Sequence, residues 1–388
     1  MCIIKSRTVE SEWSGPVRLY AGYLVGERDK HMKKKLWKIA VPLLLIAASF
    51  ILLDVTRKNP ELAEYGFARG LYKYYAILWS SLTQWVPFSL MELGIVLSPF
   101  LTVFLLAWVI VHRRRWRRYI LIVLWTVSIV FLWLTCTCNV NYNRYSFAQI
   151  SGLTIQDSGT EELYQLCLRL AGEANAYRAL LANEDEDGAM KLTEASVYEL
   201  SKTARSAYQK LNEEYQVFDY RTANTKPIFF SRLMSYTDLV GVYCPLTMET
   251  NVNTDVADYS IPSSMCHELA HFFGFMREDE ANFIGYLACL YSDSIEFRYS
   301  GTLLALIHAG NQLADVDMDA YNELWSHYSE GVVRDLKQNS EYWKQFKETA
   351  VSEVSTTIND AYLKANHQTD GVRSYGRMVD LLLAYYRE

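Results

Sequence analysis

Three uninterrupted apolar stretches constrain this chain more than any other feature. They cover about residues 37–55, 89–111 and 119–138. A helix needs about 20 apolar residues to cross a bilayer. A buried helix of a soluble core would keep a polar face, and these stretches show none. Each is therefore expected to be a membrane helix. Arg28, Lys30, Lys33, Lys34, Lys35 and Lys38 flank the first stretch, and Arg113, Arg114, Arg115, Arg117 and Arg118 link the second to the third. Clustered basic residues stay on the cytoplasmic side. The chain thus reads as a multi-pass protein of the cell membrane, its amino terminus cytoplasmic and everything after Cys138 extracytoplasmic. Residues 1–31 lack the apolar run of a signal peptide. They read as a cytoplasmic tail or as a mis-called start, because the codons for Gly26–His31 can spell a ribosome-binding sequence just before Met32.

Charge divides the chain at the end of the third stretch. Residues 1–140 hold 18 Lys and Arg against 8 Asp and Glu, which leaves 20 against 36 for residues 141–388. An acidic external half offers no electrostatic footprint for nucleic acid. Seven cysteines lie scattered without a CxxC pair, so they form neither a disulfide framework nor a cysteine metal site.

The chemistry concentrates at His267-Glu268-Leu269-Ala270-His271. Histidines at i and i+4 share a helix face, so both can ligate one metal. Neutral imidazoles and tetrahedral geometry favour Zn²⁺. Glu268 lies about 100° around the helix from His267, placed to reach a metal-bound water without ligating the metal. Gly274 can adopt the left-handed conformation that ends a helix. A catalytic zinc needs a third protein ligand and one open position. The histidine that some HExxH proteases carry six residues on is here Arg277, leaving Glu278 and Glu280. Glu278 is preferred, because Asn282 then falls one turn on, placed to orient a ligating histidine. The Glu-x-x-Ala-Asn pattern is also similar to the ligand helix of CAAX-prenyl-protease-like and other gluzincin peptidases. Cys266 reads as a small packed residue, since its direction differs from that of His267 by about 100°.

Elsewhere the pattern is mostly helical. Residues 65–85 are aromatic-rich and read as a helix lying at the membrane interface. Pro87 and Pro99 are expected to break or kink the second span, and Glu92 to be partly hydrated at its edge. Helices are expected over 160–183, 188–216, 301–313, 318–338, 342–364 and 371–387. Short strands are expected over 226–230 and 240–247, where an edge would let an extended peptide pair beside the HELAH helix. Glu249 and Asn251 are expected to line the cleft. Tyr286, His308, Tyr375 and Arg377 are candidates to stabilise an oxyanion. The fold class is α+β, a mostly helical zincin-like external domain with a small sheet, preceded by three transmembrane helices. The domains are residues 1–31, 32–140 and 141–388.

Four stretches carry a resemblance. They are ARGLYKYYAILWSSLTQWVPFSLMEL (68–93), GVYCPLTMETNVN (241–253), HELAHFFGFMREDEANFIGYLAC (267–289), and NDAYLK with GVRSYGRMVDLLLAYY (359–364, 371–386). In these the chain resembles a bacterial domain-of-unknown-function family of three-span membrane proteins with an external HExxH domain. The likeness extends from about residue 36 to the end. It implies a membrane-anchored zinc peptidase of unidentified substrate. Cys244 and Met248 look like departures from the aromatic and glycine of such chains. From the residues themselves the expected activity is hydrolysis of a peptide or protein substrate outside the membrane, with metal ligands His267, His271 and Glu278 and general base Glu268. A membrane sensor or scaffold with a structural or vestigial zinc site is the competing reading, and a zinc hydrolase of a non-peptide envelope substrate a third. A complete HExxH argues against the sensor, because a structural site has no use for Glu268.

Overall fold

The computed structural model describes residues 14–194, 196–222, 224–347, 357 and 378–387, with side chains from Leu36 onward. It forms two compact units. One comprises the chain up to Ile51 with Leu105–Trp133, the other Leu52–Phe104 with the chain from Leu134 onward. The second unit therefore takes in residues 56–88 and the start of the second span, which the sequence reading assigns to the membrane domain.

Among the described residues three helical stretches are long and apolar enough to cross a membrane: Leu36–Lys58, Leu90–Val111 and Arg113–Asn143. The first belongs to α1 (Ser14–Lys58), so residues 14–31 are helical rather than an irregular tail. The second is α3 (Leu90–Val111), which runs through Pro99, and the third is built on α4 (Trp116–Thr137). In the first unit the rings of Phe50 and Phe131 meet at a tilt of 49° with centroids 5.2 Å apart, and Trp125 Nε1 donates to the Lys38 carbonyl at 3.0 Å.

In the second unit a π-helical segment, Leu62–Tyr72, leads into α2 (Lys73–Thr83). Tyr72 and Ala76 are buried, whereas Leu71, Tyr74, Leu78, Leu82 and Trp85 are exposed. That is the two-faced pattern expected of a helix at an interface. After α4 come α5 (Phe147–Ser151), α6 (Thr160–Ala179) and α7 (Val197–Tyr215). Helix α7 starts later than the sequence suggests. Asp185 accepts from the Asp187 and Ala189 amides and Gly188 has φ +75°, so residues 184–190 turn back on themselves.

The sheet has order β1-β3-β2, with β1 (Lys226–Pro227) parallel and β2 (Gly241–Cys244) antiparallel to β3 (Glu249–Val252). The run expected as one strand over 240–247 is thus only β2 and its turn. The polar Glu-Thr-Asn-Val segment supplies the central strand, fully buried. The strand expected to reach Phe230 stops at Pro227, and residues 228–230 turn the chain into α8 (Ser231–Ser235). Helices α9 (Ser260–Phe272), α10 (Glu278–Leu290) and α11 (Ile295–Val316) form the core, with α9 laid on β2 and β3. The helix expected over 318–338 is two, α12 (Met318–Trp325) and α13 (Glu330–Lys344), because Ser329 caps the second by accepting from Val332 N. Helix α14 (Met378–Arg387) packs on α10 and α11. Most of the expected 342–364 helix, and residues 371–377, lie outside the described residues.

Glu249 and Asn251 do not line the cleft. Asn251 donates to the Val242 carbonyl within the sheet. Glu249 accepts from Lys226 Nζ at 2.5 Å and from the Leu90 and Met91 amides at 3.2 and 3.0 Å, capping α3. Lys226 also donates to the Thr83 and Phe88 carbonyls. Glu92, expected to be partly hydrated, is partly exposed and accepts from the Phe229 and Phe230 amides at 2.9 and 2.7 Å. Removing one partner of a buried pair strands a charge, so Glu249→Ala is expected to cost about 3–5 kcal/mol. The double variant Lys226→Met/Glu249→Met is expected to recover most of that loss. Denaturant unfolding of the solubilised protein measures both, and additive losses would contradict the pairing.

Candidate metal centre and cleft

Helix α9 ends at the turn that Gly274 makes with φ +85°. Gly274 N donates to the His271 carbonyl at 2.9 Å and Phe275 N to the Ala270 carbonyl at 3.1 Å. This paired closure is a Schellman motif, and only a residue without Cβ takes that φ freely. It carries the chain straight into α10 and swings the Phe275 carbonyl back to His271 Nδ1, 2.7 Å away. Asn282, on α10, places its Oδ1 2.8 Å from His267 Nδ1. A carbonyl oxygen only accepts, so both Nδ1 atoms carry the proton. Both Nε2 atoms then present lone pairs to the same place.

Glu278 stands at that place. Its Oε2 lies 3.2 Å from His267 Nε2 and its Oε1 3.6 Å from His271 Nε2. The ligand atoms of the three residues all fall within 4.8 Å of one another. Glu280 turns away: its carboxylate accepts from the Phe147 amide at 3.1 Å and faces Arg277, and burial pushes its pKa up to about 7. Cys266 is buried, with its carbonyl accepting from Tyr208, and is not in the cluster.

The electrostatics ask for a cation. Burial opposes charge on Glu278, yet the two imidazoles override it and hold the carboxylate below its ordinary range. Burial likewise disfavours a charged His271, but Glu278 reverses this and lifts it to about 9. Without a metal, then, the cluster draws in a proton as counter-charge. One divalent ion would do the same work against two neutral imidazoles and a carboxylate, a donor set that suits zinc.

Glu268 is buried beside the cluster, and its Oε2 has no hydrogen-bond partner among the described residues. Burial raises its pKa, opposed by His267 and His271 and by the Tyr243 amide that it accepts from. A Cβ on Gly241 would sit 2.4 Å from Glu268 Oε1, so this position has no room for a side chain. A Cβ on Gly285 would sit 3.0 Å from the His267 amide nitrogen, so that glycine sets how closely α10 approaches α9. The sequence marks Gly241 only as a bound of a strand and Gly285 not at all, because each shows its role only once its neighbour across the fold is known.

A cavity of about 440 Å³ opens over the cluster. Its walls are β2 with the loop before it, Ser263, Ser264 and Glu268 of α9, and Cys138 and Tyr142 after α4. Strand β2 is an edge, and Asn253 N donates to the Val240 carbonyl, so alternation turns the backbone groups of Gly241 and Tyr243 away from β3. The candidate oxyanion donors are not in this wall: Tyr286 is buried against Tyr386, and His308 is not among the residues that line the cavity. Tyr375 and Arg377 lie outside the described residues. The cavity wall does contain Tyr243, whose hydroxyl meets that of Tyr72 at 2.8 Å.

The far end of α9 is closed by residues remote in sequence. Tyr72 donates to the Phe272 carbonyl at 2.9 Å, Tyr220 to the same carbonyl at 3.0 Å, and Arg144 to the Phe273 carbonyl at 2.9 Å. Arg144 is itself held by both oxygens of buried Glu64, at 2.8 and 2.9 Å. These donors satisfy carbonyls that a helix end leaves unpaired. The geometry predicts a clear order of zinc affinities: Glu278→Ala weakens binding strongly, Asn282→Ala by about 10-fold or more, and Glu280→Ala little. Competition titration of the three variants checks it, and a Glu280→Ala loss exceeding that of Glu278→Ala would contradict it.

No curated protein and no solved structure matches the chain. A family model described as "Protein of unknown function (DUF3810)" matches residues 67–383, which take in Tyr72, Arg144, Gly241 and the whole of α9 and α10. The chain belongs to this family.

Proposed function

We propose that the protein is a membrane-anchored zinc metallopeptidase that hydrolyses peptide bonds on the side of the membrane away from Arg113–Arg118. The observation that carries this reading is Glu268. A buried carboxylate with one oxygen unpaired among the described residues, held against a cluster that could ligate a metal without joining it, is costly to keep unless it moves protons. A structural zinc site would prefer four protein ligands and needs no such group.

His267, His271 and Glu278 would hold the zinc, which would supply Lewis-acid activation of a water and of a carbonyl. Glu268 accepts the proton of the attacking water and returns it to the leaving amine. Its raised pKa suits a group that must hold that proton between the two steps. Asn282 and the Phe275 carbonyl keep the imidazoles in one tautomer throughout. The outward Gly241 amide and the Gly241 and Tyr243 carbonyls of β2 pair with the extended substrate and lay its carbonyl beside the cluster, the Tyr243 amide being held by Glu268. By the positive-inside rule the site is extracytoplasmic.

Full-length protein loaded with zinc is expected to cleave a quenched fluorogenic peptide library. Glu268→Gln should lower the rate by about 10²-fold or more while zinc content stays at the wild-type level. Gly241→Ala should behave in the same way, by displacing the Glu268 carboxylate. Full activity in Glu268→Gln would refute the assignment. For topology, a periplasm-active reporter fused after Glu388 should be active and one fused at Arg115 inactive. The reverse pattern would overturn the orientation.

A further inference from the structure

We propose that the substrates are polypeptides with their own membrane anchor, cut within a few residues of the bilayer surface. The inference rests on the peptidase reading above and names its substrate class. It starts from α2. Leu71, Tyr74, Leu78, Leu82 and Trp85 are each more than half exposed, and their spacing of three and four residues makes them one stripe. This stretch links two helices long enough to cross a membrane, so the apolar medium at hand to cover the stripe is the bilayer interface. The opposite face of the same stretch, with Tyr72, Ala76 and Trp79, packs on Phe272 and Met276. Phe272 follows the metal-cluster residue His271 directly. One helix thickness, about 10 Å, therefore separates the cluster's helix from the bilayer surface.

The sheet gives the same level independently. Glu249 caps α3 at Leu90 and Met91, and Glu92 in the first turn of α3 holds the Phe229 and Phe230 amides. Helix α3 has 22 residues, enough to span the hydrocarbon, so this turn marks the bilayer boundary. Phe229, 83% exposed, and Leu233, 63% exposed, lie at that boundary. Cys244 pairs with Glu249 at one end of β2, and Gly241 pairs with Val252, level with Pro227 and two residues before Phe229, at the other, so both ends of β2 lie close to that boundary. Gly241 and Tyr243 stand beside the general base Glu268. At about 3.3 Å per residue β2 is only about 10 Å long, so a chain lying along it stays within a few residues of the bilayer. Cys138, the first residue beyond α4, lines the same cleft.

The test uses the full chain, zinc-loaded and reconstituted in phosphatidylcholine–phosphatidylglycerol vesicles. A randomised octapeptide library is presented in three forms: coupled at either end directly to a phosphatidylethanolamine headgroup, coupled through a Gly/Ser spacer of about 20 residues, and free in solution. Tethering alone raises local concentration in both coupled forms, so the spacer form controls for it. The directly coupled library is expected to be cut about 10-fold faster or more than the other two, at bonds close to the lipid. Equal cutting of all three forms, or faster cutting of the spacer or free form, overturns the substrate class and leaves the peptidase intact. No cutting of any form by protein that holds zinc defeats the peptidase reading itself, and this proposal with it. Leu78→Glu, on the exposed stripe, should diminish the advantage of direct coupling while zinc content is unchanged; an undiminished advantage would remove the bilayer from the account of α2.

Discussion

The rest of the structure depends on how two imidazole rings are held. A histidine binds metal only through a nitrogen that has no proton, and which nitrogen that is depends on what the other one touches. Here Asn282 and the Phe275 carbonyl claim the two Nδ1 atoms, so both Nε2 atoms converge on Glu278. Three contributions make this possible. Gly274 turns the chain tightly enough to deliver the Phe275 carbonyl. Gly285 lets α10 lie against the backbone at His267. Gly241 leaves room for the Glu268 carboxylate between α9 and the sheet. At Gly241 a carboxylate and at Gly285 a backbone comes too close for a side chain, whereas at Gly274 the φ of +85° is what excludes one.

The second dependence runs toward the membrane. The last carbonyls of α9 are satisfied by Tyr72 and Arg144, which come from the segments that follow the first span and the third. Arg144 is buried and stacks on Phe275 while Glu64 takes both ends of its fork. Burial works against a charged Glu64, and the two arginines beside it hold its carboxyl below the ordinary range all the same. A buried pair of this kind adds little net stability but is expensive to break, so it fixes geometry. Helix α9, which carries His267 and His271, and the segments that follow the first and third apolar helices are thus one assembly within this unit.

Much of this was legible in the residues, for reasons that differ from place to place. HELAH, Gly274 and Asn282 follow from helical spacing and from one conformational rule, so their arrangement could be worked out before any coordinates. The three apolar stretches follow from length alone. The central strand could not be read, because Glu249, Thr250 and Asn251 look like solvent-facing residues until Lys226 and the α3 amides are seen to satisfy Glu249. The pairing of Arg144 with Glu64 spans 80 positions and leaves no local pattern. The acidic turn at Asn183–Gly188 is legible from its residues, but the helix expected from Gly188 starts only at Val197, because Asp185 binds the Asp187 and Ala189 amides and holds the turn through residue 190. What sequence periodicity misses is polar burial, since its cost is offset only by partners that the fold brings together.

The account stands or falls on the ligand set. Zinc K-edge X-ray absorption on the zinc-loaded full-length protein reads it most directly. Two imidazole nitrogens at about 2.0–2.1 Å with two oxygens at about 2.0–2.2 Å, one from a carboxylate and one from water, are the predicted shell. A sulfur scatterer at about 2.3 Å, or a shell without imidazole, would contradict it.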